Sequence, residues 1–170
     1  MPKTPKHHLP AIWAPWREEF ILGKKEKGCI FCRRLKRKSD REDLILARGK
    51  KNFVIMNRYP YTNGHLMVVP YRHVAELSAL TSEEALEMMR LATDSVEALK
   101  KSIRPQGFNL GMNLGRSAGA GVEGHLHLHI VPRWAGDANF MPVIGKTKVF
   151  SLSMEKTYDR LYPYLNGKKK

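Results

Sequence analysis

The sequence is poor in cysteine, in acidic residues and in long apolar runs. Two cysteines in 170 residues cannot form the disulfide framework that staples small secreted domains. No apolar run approaches the roughly 18 residues that would span a bilayer. The N-terminus, MPKTPKHH, lacks the apolar core of a signal peptide. These absences predict a cytoplasmic protein without a membrane partner, and the 42% hydrophobic content predicts a folded domain.

The shortage of acidic residues leaves the chain strongly basic. Lys and Arg number 30 against 16 Asp and Glu, which gives a formal net charge of +14. Such a charge favours nucleic acid, an anionic membrane surface or small polyphosphates, and charge alone does not choose among them. Residues 24–41 carry much of the excess. We interpret them first as a solvated surface, with a phosphate or nucleic-acid patch as the alternative.

Apolar periodicity predicts an α+β domain with an antiparallel sheet. The predicted strands are 44–48, 53–56, 65–70, 108–114 and a histidine-rich run near 125. Thr81–Lys101 is the clearest helix because Thr81 and Glu84 can form a capping box. Its apolar stripe comprises Ala85, Met89, Ala92, Val96 and Leu99. Shorter helices are predicted at 11–22 and 151–165. The predicted organisation is a flexible arm at 1–10, one domain at 11–165 and a basic tail at 166–170.

The most informative stretch is HLHLHIV at residues 125–131. Its three histidines alternate with aliphatic residues, and this period of two is strand geometry, which puts the imidazoles on one face. On a helix they would splay around the axis. Pro132 has no amide hydrogen and is predicted to end the ladder. Imidazole can serve as a nucleophile, a proton carrier or a metal ligand, so a three-histidine metal site stays open.

This stretch resembles the signature of the histidine triad (HIT) family, His-φ-His-φ-His-φ-φ with φ apolar. The resemblance continues through residues 57–73 and 109–134. Residues 13–17, 71–73 and 136–140 are similar to the branch of diadenosine tetraphosphate phosphorylases (ATP adenylyltransferases). The resemblance to the family implies a five-stranded antiparallel sheet with a long helix and flanking short helices. This single domain is usually part of a homodimer.

The resemblance also implies roles for individual residues. His127 corresponds to the nucleophile that attacks the α-phosphorus of a nucleotide, and His129 is placed to donate a hydrogen bond to phosphate or to the leaving group. Asn57 would bind the ribose hydroxyls, with a turn residue as the alternative, and Asn113 would contact the reacting phosphate. Candidate walls of the base pocket are Val54, Met56 and Leu66.

The loop before the triad departs from the family pattern. Many members have Gly-Gln-Ser or Gly-Gln-Thr there, whereas this chain has Ala120-Gly121-Val122 and an extra residue upstream. Because a valine side chain cannot donate a hydrogen bond, backbone amides would have to form a nest around the phosphate. The candidate phosphate-binding residues are Gly119, Ala120, Gly121, Arg116 and Ser117.

Cys29 and Cys32 form a Cys-x-x-Cys pair, which supplies half of a zinc site. In family members with this pair, the other ligands of a structural zinc correspond to His73 and His125. Two buried thiols and a redox dithiol are the alternatives, although no thioredoxin-like pattern surrounds the pair.

The implied activity is that of a nucleotidyltransferase or hydrolase acting on purine nucleotides and dinucleoside polyphosphates. Diadenosine tetraphosphate and phosphate would give ADP and ATP through a nucleotidyl intermediate on His127, with magnesium accompanying the polyphosphate. Water is the alternative acceptor, with dinucleoside polyphosphates or nucleoside phosphoramidates as substrates. The rival interpretations are a nucleotide-binding regulator, a processor of nucleic-acid ends and a three-histidine metalloenzyme.

Overall fold

The structure, a computed structural model, describes residues 28–37, 39–137 and 151–166. Within them, five strands form one antiparallel sheet in the order β1-β2-β3-β5-β4. The strands are β1 (Ile45–Arg48), β2 (Asn52–Met56), β3 (Leu66–Pro70), β4 (Gly107–Gly111) and β5 (Leu128–Arg133). The helices are α1 (Ile30–Lys36), α2 (Ser82–Ile103) and α3 (Met154–Asn166). The predicted α+β fold is confirmed.

Some predictions fall outside the described residues. The flexible arm at 1–10, the helix at 11–22 and all of the basic tail except Asn166 lie there. Among the described residues, no helix is both long and apolar enough to cross a membrane.

The two faces of the sheet are covered differently. Alternate residues of β2 and β3 point to opposite sides, as the pleat of a strand requires. One face packs on α2 and α3 and contains Val54, Met56, Leu66, Val68, Leu128 and Ile130. The other face packs on α1 through Phe31 and contains Ile45, Phe53, Ile55, Met67 and Val69. His129 is the register partner of Met67, so the histidines share the face that carries α1.

Helix α2 begins with the predicted capping box between Thr81 and Glu84. The predicted apolar stripe is partly wrong, because Met88 is buried and Met89 is 55% exposed. The buried face of α2 is shifted by about one residue from the predicted stripe, because two carboxylates of the helix bind groups elsewhere in the fold. Glu84 pairs with Arg72, and Glu87 accepts hydrogen bonds from consecutive backbone amides in the β1–β2 hairpin at 2.6–2.7 Å.

The histidine run is a strand only in its second half. The ladder between β3 and β5 stops at the pair of Val68 and Leu128, and the amide of Leu126 donates to the Val74 carbonyl at 2.7 Å. The prediction that Pro132 ends the ladder is wrong. β5 continues to Arg133, whose carbonyl accepts a hydrogen bond from the Gln106 amide at 2.8 Å. His125 and His127 therefore precede the strand, and His129 lies within it.

Candidate active site and metal centre

A cleft lies on the α1 face of the sheet, with about 540 Å³ of empty space that includes open solvent at its mouth. His127 and His129 line it, although they are only 6% and 8% exposed. Their ring centroids are 4.7 Å apart, and Phe31 of α1 packs 5.2 Å from the His127 ring. The imidazoles are thus held by packing while they border the cleft.

The two ring nitrogens of His127 have different environments. Nδ1 lies 2.8 Å from the backbone carbonyl oxygen of His125, and because a carbonyl only accepts, Nδ1 carries the hydrogen. In the neutral ring Nε2 then has the lone pair. Burial lowers the pKa of His127, although the hydrogen bond to the His125 carbonyl partly opposes this shift. The residue is therefore suited to act as a neutral nucleophile.

A chain of hydrogen bonds sets the tautomer of His129. The backbone amide of Tyr61 donates to Nδ1 of His65 at 3.1 Å, so the neutral His65 ring has its proton on Nε2. That Nε2 lies 2.9 Å from Nδ1 of His129 and donates to it. His129 consequently carries its proton on Nε2, which makes this nitrogen a hydrogen-bond donor. His65 is 1% exposed and acts on His129 without lining the pocket.

Most of the predicted nucleotide-binding residues meet at this pocket. Asn57, Asn113, Gly119 and Gly121 line it together with the two histidines. Ala120 and Ser117 are not among the lining residues. The Asn57 side-chain oxygen accepts a hydrogen bond from the Tyr59 amide at 2.9 Å, so the turn role exists alongside the position at the pocket.

The predicted walls of the base pocket are wrong. Val54, Met56 and Leu66 belong to the core cluster on the α2–α3 face of the sheet. Because neighbouring residues of a strand face opposite sides, Met67 lines the pocket in their place. Ile30 and Phe31 of α1 and Val122 of the loop before the histidines add further apolar wall.

Sequence reasoning missed α1, His65 and two arginines that also line the pocket, Arg34 and Arg58. Ile30, Phe31 and Leu35 recur at helical spacing, and this signal could have predicted α1. Nothing in a single sequence distinguishes His65 from an ordinary buried strand residue.

Next to the pocket, Cys29, Cys32, His73 and His125 converge so that their ligand atoms all lie within 4.8 Å of one another. Nδ1 of His125 lies 3.2 Å from Sγ of Cys29 and 3.6 Å from Sγ of Cys32. Nδ1 of His73 lies 3.5 Å from Sγ of Cys32 and 3.2 Å from Nδ1 of His125. Residues far apart in the sequence are thus brought into one group that could hold a metal ion.

The orientation of His125 fits metal binding. Its Nε2 lies 2.8 Å from the Pro70 carbonyl oxygen and donates to it, which leaves the Nδ1 lone pair directed at the sulfurs. Burial raises the pKa of Cys29, but the contact with the His125 ring and backbone hydrogen bonds outweigh burial and lower the value to about 6. Among the described residues this is the one group able to hold a metal, and it includes neither His127 nor His129. This geometry disfavours a three-histidine metal site.

The model of the HIT domain family matches residues 38–136. The chain belongs to the HIT family, as the fold and the pair of pocket histidines indicate.

Among individual relatives, the chain is 50% identical over 119 residues to the AP-4-A phosphorylase of Mycobacterium tuberculosis. That alignment covers 70% of this chain and 61% of the relative, so the chain spans less than two thirds of the relative's length. It is 31% identical over 106 residues to an adenosine 5'-monophosphoramidase of Schizosaccharomyces pombe, covering 62% of this chain and 74% of the relative. A zinc-bound histidine triad family protein from Mycobacterium smegmatis has the same fold, with a TM-score of 0.67, 24% identity and coverage of 82% and 94% of the two chains.

Proposed function

We propose that this protein is a nucleotidyltransferase of the diadenosine tetraphosphate phosphorylase type. The observation that carries the proposal is the tautomer of His127, whose Nδ1–H is bound by the His125 carbonyl while Nε2 has the lone pair. The pocket that His127 lines also contains Asn57, Asn113 and the glycine loop. The 50% identity to the AP-4-A phosphorylase of M. tuberculosis supports this choice within the family.

The reaction would proceed in two displacements. Nε2 of His127 forms a bond to the α-phosphorus as the bond from that phosphorus to the bridging oxygen breaks, and ATP leaves with the electron pair. An oxygen of hydrogen phosphate then attacks the same phosphorus while the N–P electrons return to Nε2. The products are ADP and ATP, and the proton of the attacking hydrogen phosphate is released to solvent.

The neighbouring residues would position and stabilise the phosphates. Nε2–H of His129 would donate to a phosphate oxygen, and Asn113 would bind the reacting phosphate. Amides of the loop containing Gly119 and Gly121 would stabilise equatorial oxygens, since positioning and charge stabilisation supply most of the catalysis in phosphoryl transfer. Asn57 would bind the ribose. Magnesium would accompany the polyphosphate without a dedicated protein cage.

The cluster of two cysteines and two histidines would hold a structural zinc ion. Two thiolates and two imidazoles are a common tetrahedral zinc set, in which neighbouring ligand atoms lie about 3.3–3.8 Å apart. The distances of 3.2–3.6 Å between the ligand atoms of the cluster agree with this value. Such an ion would tie α1, which contains Cys32, to the segment that precedes the catalytic strand.

A homodimer is proposed as the working assembly. β4 lies at one edge of the sheet and is largely exposed. Leu110 in β4 and Leu114 shortly after it are large apolar residues that are exposed. Apolar side chains beside an unpaired strand edge favour association with a second sheet.

The cytoplasmic location stays a prediction.

Product analysis tests the proposed activity. Purified protein is incubated with diadenosine tetraphosphate, with and without inorganic phosphate, and the nucleotides are separated by chromatography. ADP plus ATP that appear only with phosphate support the phosphorylase. AMP plus ATP in both samples identify water as the acceptor and contradict the phosphorylase assignment.

Water remains the second candidate acceptor because of the relative in S. pombe. A protein 31% identical to this chain is named an adenosine 5'-monophosphoramidase, and its name implies hydrolysis of a nucleoside phosphoramidate. Adenosine 5'-phosphoramidate is therefore included as a substrate in the same assay. Turnover of this compound alone would favour the hydrolase.

A further inference from the structure

We propose that Asn57 is a positioning residue that acts on His129 through His65, in addition to the ribose contact that the family resemblance implies. This inference rests on the proposed function and links the ribose contact to the histidine that donates to phosphate. The Asn57 amide has two donors and two lone pairs. One donor and one lone pair serve the protein, and the other two serve the ribose.

The sheet places Asn57 directly opposite His65. Met56 and Leu66 are the last register pair at this end of β2 and β3, and Asn57 and His65 each lie one residue beyond them. The backbone amide of Asn57 donates to the His65 carbonyl at 2.9 Å, so the two strands stay paired at this point. Residues opposite each other in an antiparallel pair point to the same face. The two side chains therefore share one face of the sheet.

The turn after β2 determines which end of the Asn57 amide faces His65. Oδ1 of Asn57 accepts a hydrogen bond from the Tyr59 backbone amide at 2.9 Å. Because a backbone N–H only donates, this contact identifies the oxygen, and the other end of the side chain is the NH2 group. That nitrogen, Nδ2, lies 3.4 Å from Nδ1 of His65. Asn57 therefore presents a donor to His65.

Two donors converge on Nδ1 of His65. The Tyr61 backbone amide donates to it at 3.1 Å, and the Asn57 side chain is the second donor. Both disfavour a proton on Nδ1, so the neutral ring keeps its proton on Nε2. Nε2 lies 2.9 Å from Nδ1 of His129 and donates to it, which leaves the proton of His129 on its own Nε2. Because His65 is 1% exposed, these protein groups rather than bulk water decide its tautomer.

The Asn57 amide keeps one donor and one acceptor for a ligand. Among the described residues, the contact with His65 uses one N–H, and the contact with Tyr59 uses one lone pair. Asn57 lines the pocket and is partly exposed, so its second N–H and second lone pair are available there. The two hydroxyls of a ribose each donate and accept, and they match this pair. Asn57 thus contributes to turnover through His129 as well as to binding, and its contribution to turnover needs no ribose hydroxyl.

Kinetics with and without ribose hydroxyls test the positioning role in the full-length protein. Asn57→Ala removes both roles. Asn57→Ser keeps a hydroxyl that can accept from the Tyr59 amide but is one bond too short to reach His65. Asn63→Ala is the control, because Asn63 lies in the same loop and accepts a hydrogen bond from Thr157 outside the pocket. kcat and KM are measured on diadenosine tetraphosphate and on its analogue without the 2′ and 3′ hydroxyls.

The analogue isolates the effect on turnover. On it, Asn57→Ala and Asn57→Ser should each lower kcat about threefold to tenfold, the size of one net hydrogen bond, and change KM by less than about twofold. On diadenosine tetraphosphate the same variants should also raise KM, because the ribose contact is lost. Asn63→Ala should change none of these values. If Asn57→Ala keeps the wild-type kcat on the analogue, Asn57 binds only ribose and the inference is wrong. A wild-type kcat for Asn57→Ser alone would assign the effect to the turn and also overturn it.

Nitrogen NMR of the histidine rings separates this inference from the proposed reaction, because it needs no substrate. Spectra that correlate ring nitrogens with ring protons, recorded at about pH 8 where imidazoles are neutral, show which nitrogen carries the hydrogen. In the wild type, Nδ1 of His65 should be unprotonated and Nε2 of His129 protonated. Asn57→Ala should move the His129 signals toward the other tautomer, and Asn63→Ala should not.

Two spectroscopic results would overturn the inference. One is a wild-type His129 that carries its proton on Nδ1, and the other is a set of identical ring spectra for the wild type and Asn57→Ala. If Asn57→Ala fails to fold, Asn57→Ser provides the same comparison. If the wild type converts no nucleotide, the proposed function fails, and these spectra still decide whether Asn57 positions His129 through His65.

Discussion

His125 and His127 are two residues apart, yet they belong to regions with different chemistry. His125 is fully buried, its Nε2 donates to the Pro70 carbonyl and its Nδ1 faces two sulfurs and His73. His127 borders the pocket, and its Nδ1 donates to the backbone of His125. The nitrogen that the protein holds decides which nitrogen remains for other chemistry. One region is therefore suited to bind a metal ion, and the other is suited to attack phosphorus.

The two regions also differ in what supports them. The metal cluster joins α1, the segment after β3 and the start of the histidine run, so it links parts that are distant in sequence. The pocket histidines depend on packing by Phe31 and on the hydrogen-bond chain from Tyr61 through His65. Changes in the cluster should mainly affect stability, and changes in the pocket should mainly affect turnover.

The largest expected effect is on the chemical step. His127→Asn should lower kcat on diadenosine tetraphosphate by about 10⁴-fold or more, because no nucleophile remains at the α-phosphorus. Nucleotide binding and the free energy of unfolding should change by less than about 1 kcal/mol, since the amide can still donate to a carbonyl. Activity near that of the wild type would refute the covalent scheme.

Removal of the metal should have the next largest effect, and mainly on stability. Cys32→Ser should lower the free energy of unfolding by about 3 kcal/mol or more, as loss of a structural metal does. Metal content by mass spectrometry should fall from one zinc ion per chain to none, and a strong chelator should destabilise the wild type similarly. His127→Asn, which leaves all four cluster residues in place, is the matched control and should retain its metal. A wild-type protein without bound metal would contradict the proposal.

Loss of the hydrogen bond from His65 to His129 should have an intermediate effect on kcat. His65→Leu removes the donor to Nδ1 of His129, so the tautomer that places a proton on Nε2 is no longer enforced. kcat should fall about 10- to 100-fold, by analogy with the loss of the hydrogen-bond partner that orients a metal-bound histidine. His65→Gln should restore part of the rate, because its amide can donate to the same nitrogen. Equal rates for the two variants would show that His65 acts only through packing.

The sequence predicted the elements that depend on local pattern. The capping box at Thr81, the alternation of apolar residues and the spacing of the histidines each carry their signal within a few residues. The stripe of α2 could not be placed correctly because its rotation depends on Arg72 and on the hairpin amides, which are distant partners of Glu84 and Glu87. The predicted base-pocket residues lie on the wrong face of the sheet, because which face carries the pocket also depends on contacts between distant parts of the sequence.

Within the site, the functional residues of the motifs are easier to predict than the residues that contact them in the folded chain. The signature drew attention to His127, and the resemblance brought the two cysteines together with His73 and His125. His65, Arg34 and Arg58 have no local signature, since their positions at the site arise only in the folded chain. Polar residues whose partners lie on other elements are accordingly the ones that a single sequence does not reveal.

The smallest expected effect concerns the segment that carries His73. Its neighbour Arg72 pairs with Glu84 at 2.6 Å, and this hydrogen bond, opposed by burial and aided by Thr81, lowers the pKa of Glu84 from 4.5 to about 2. The pair should therefore stabilise the fold fully above pH 4.5 and lose this contribution as the pH falls toward 2.

The contribution should be about 1–2 kcal/mol, less than the full shift implies, because the Arg72 side chain is half exposed and solvent screens its charge. Urea unfolding of the wild type and Glu84→Gln is measured from pH 6 to pH 3 with chelator present, so that metal release does not add to the result. The difference in stability should shrink as the pH falls. A difference that stays constant with pH would show that the ionisation of Glu84 does not contribute to stability.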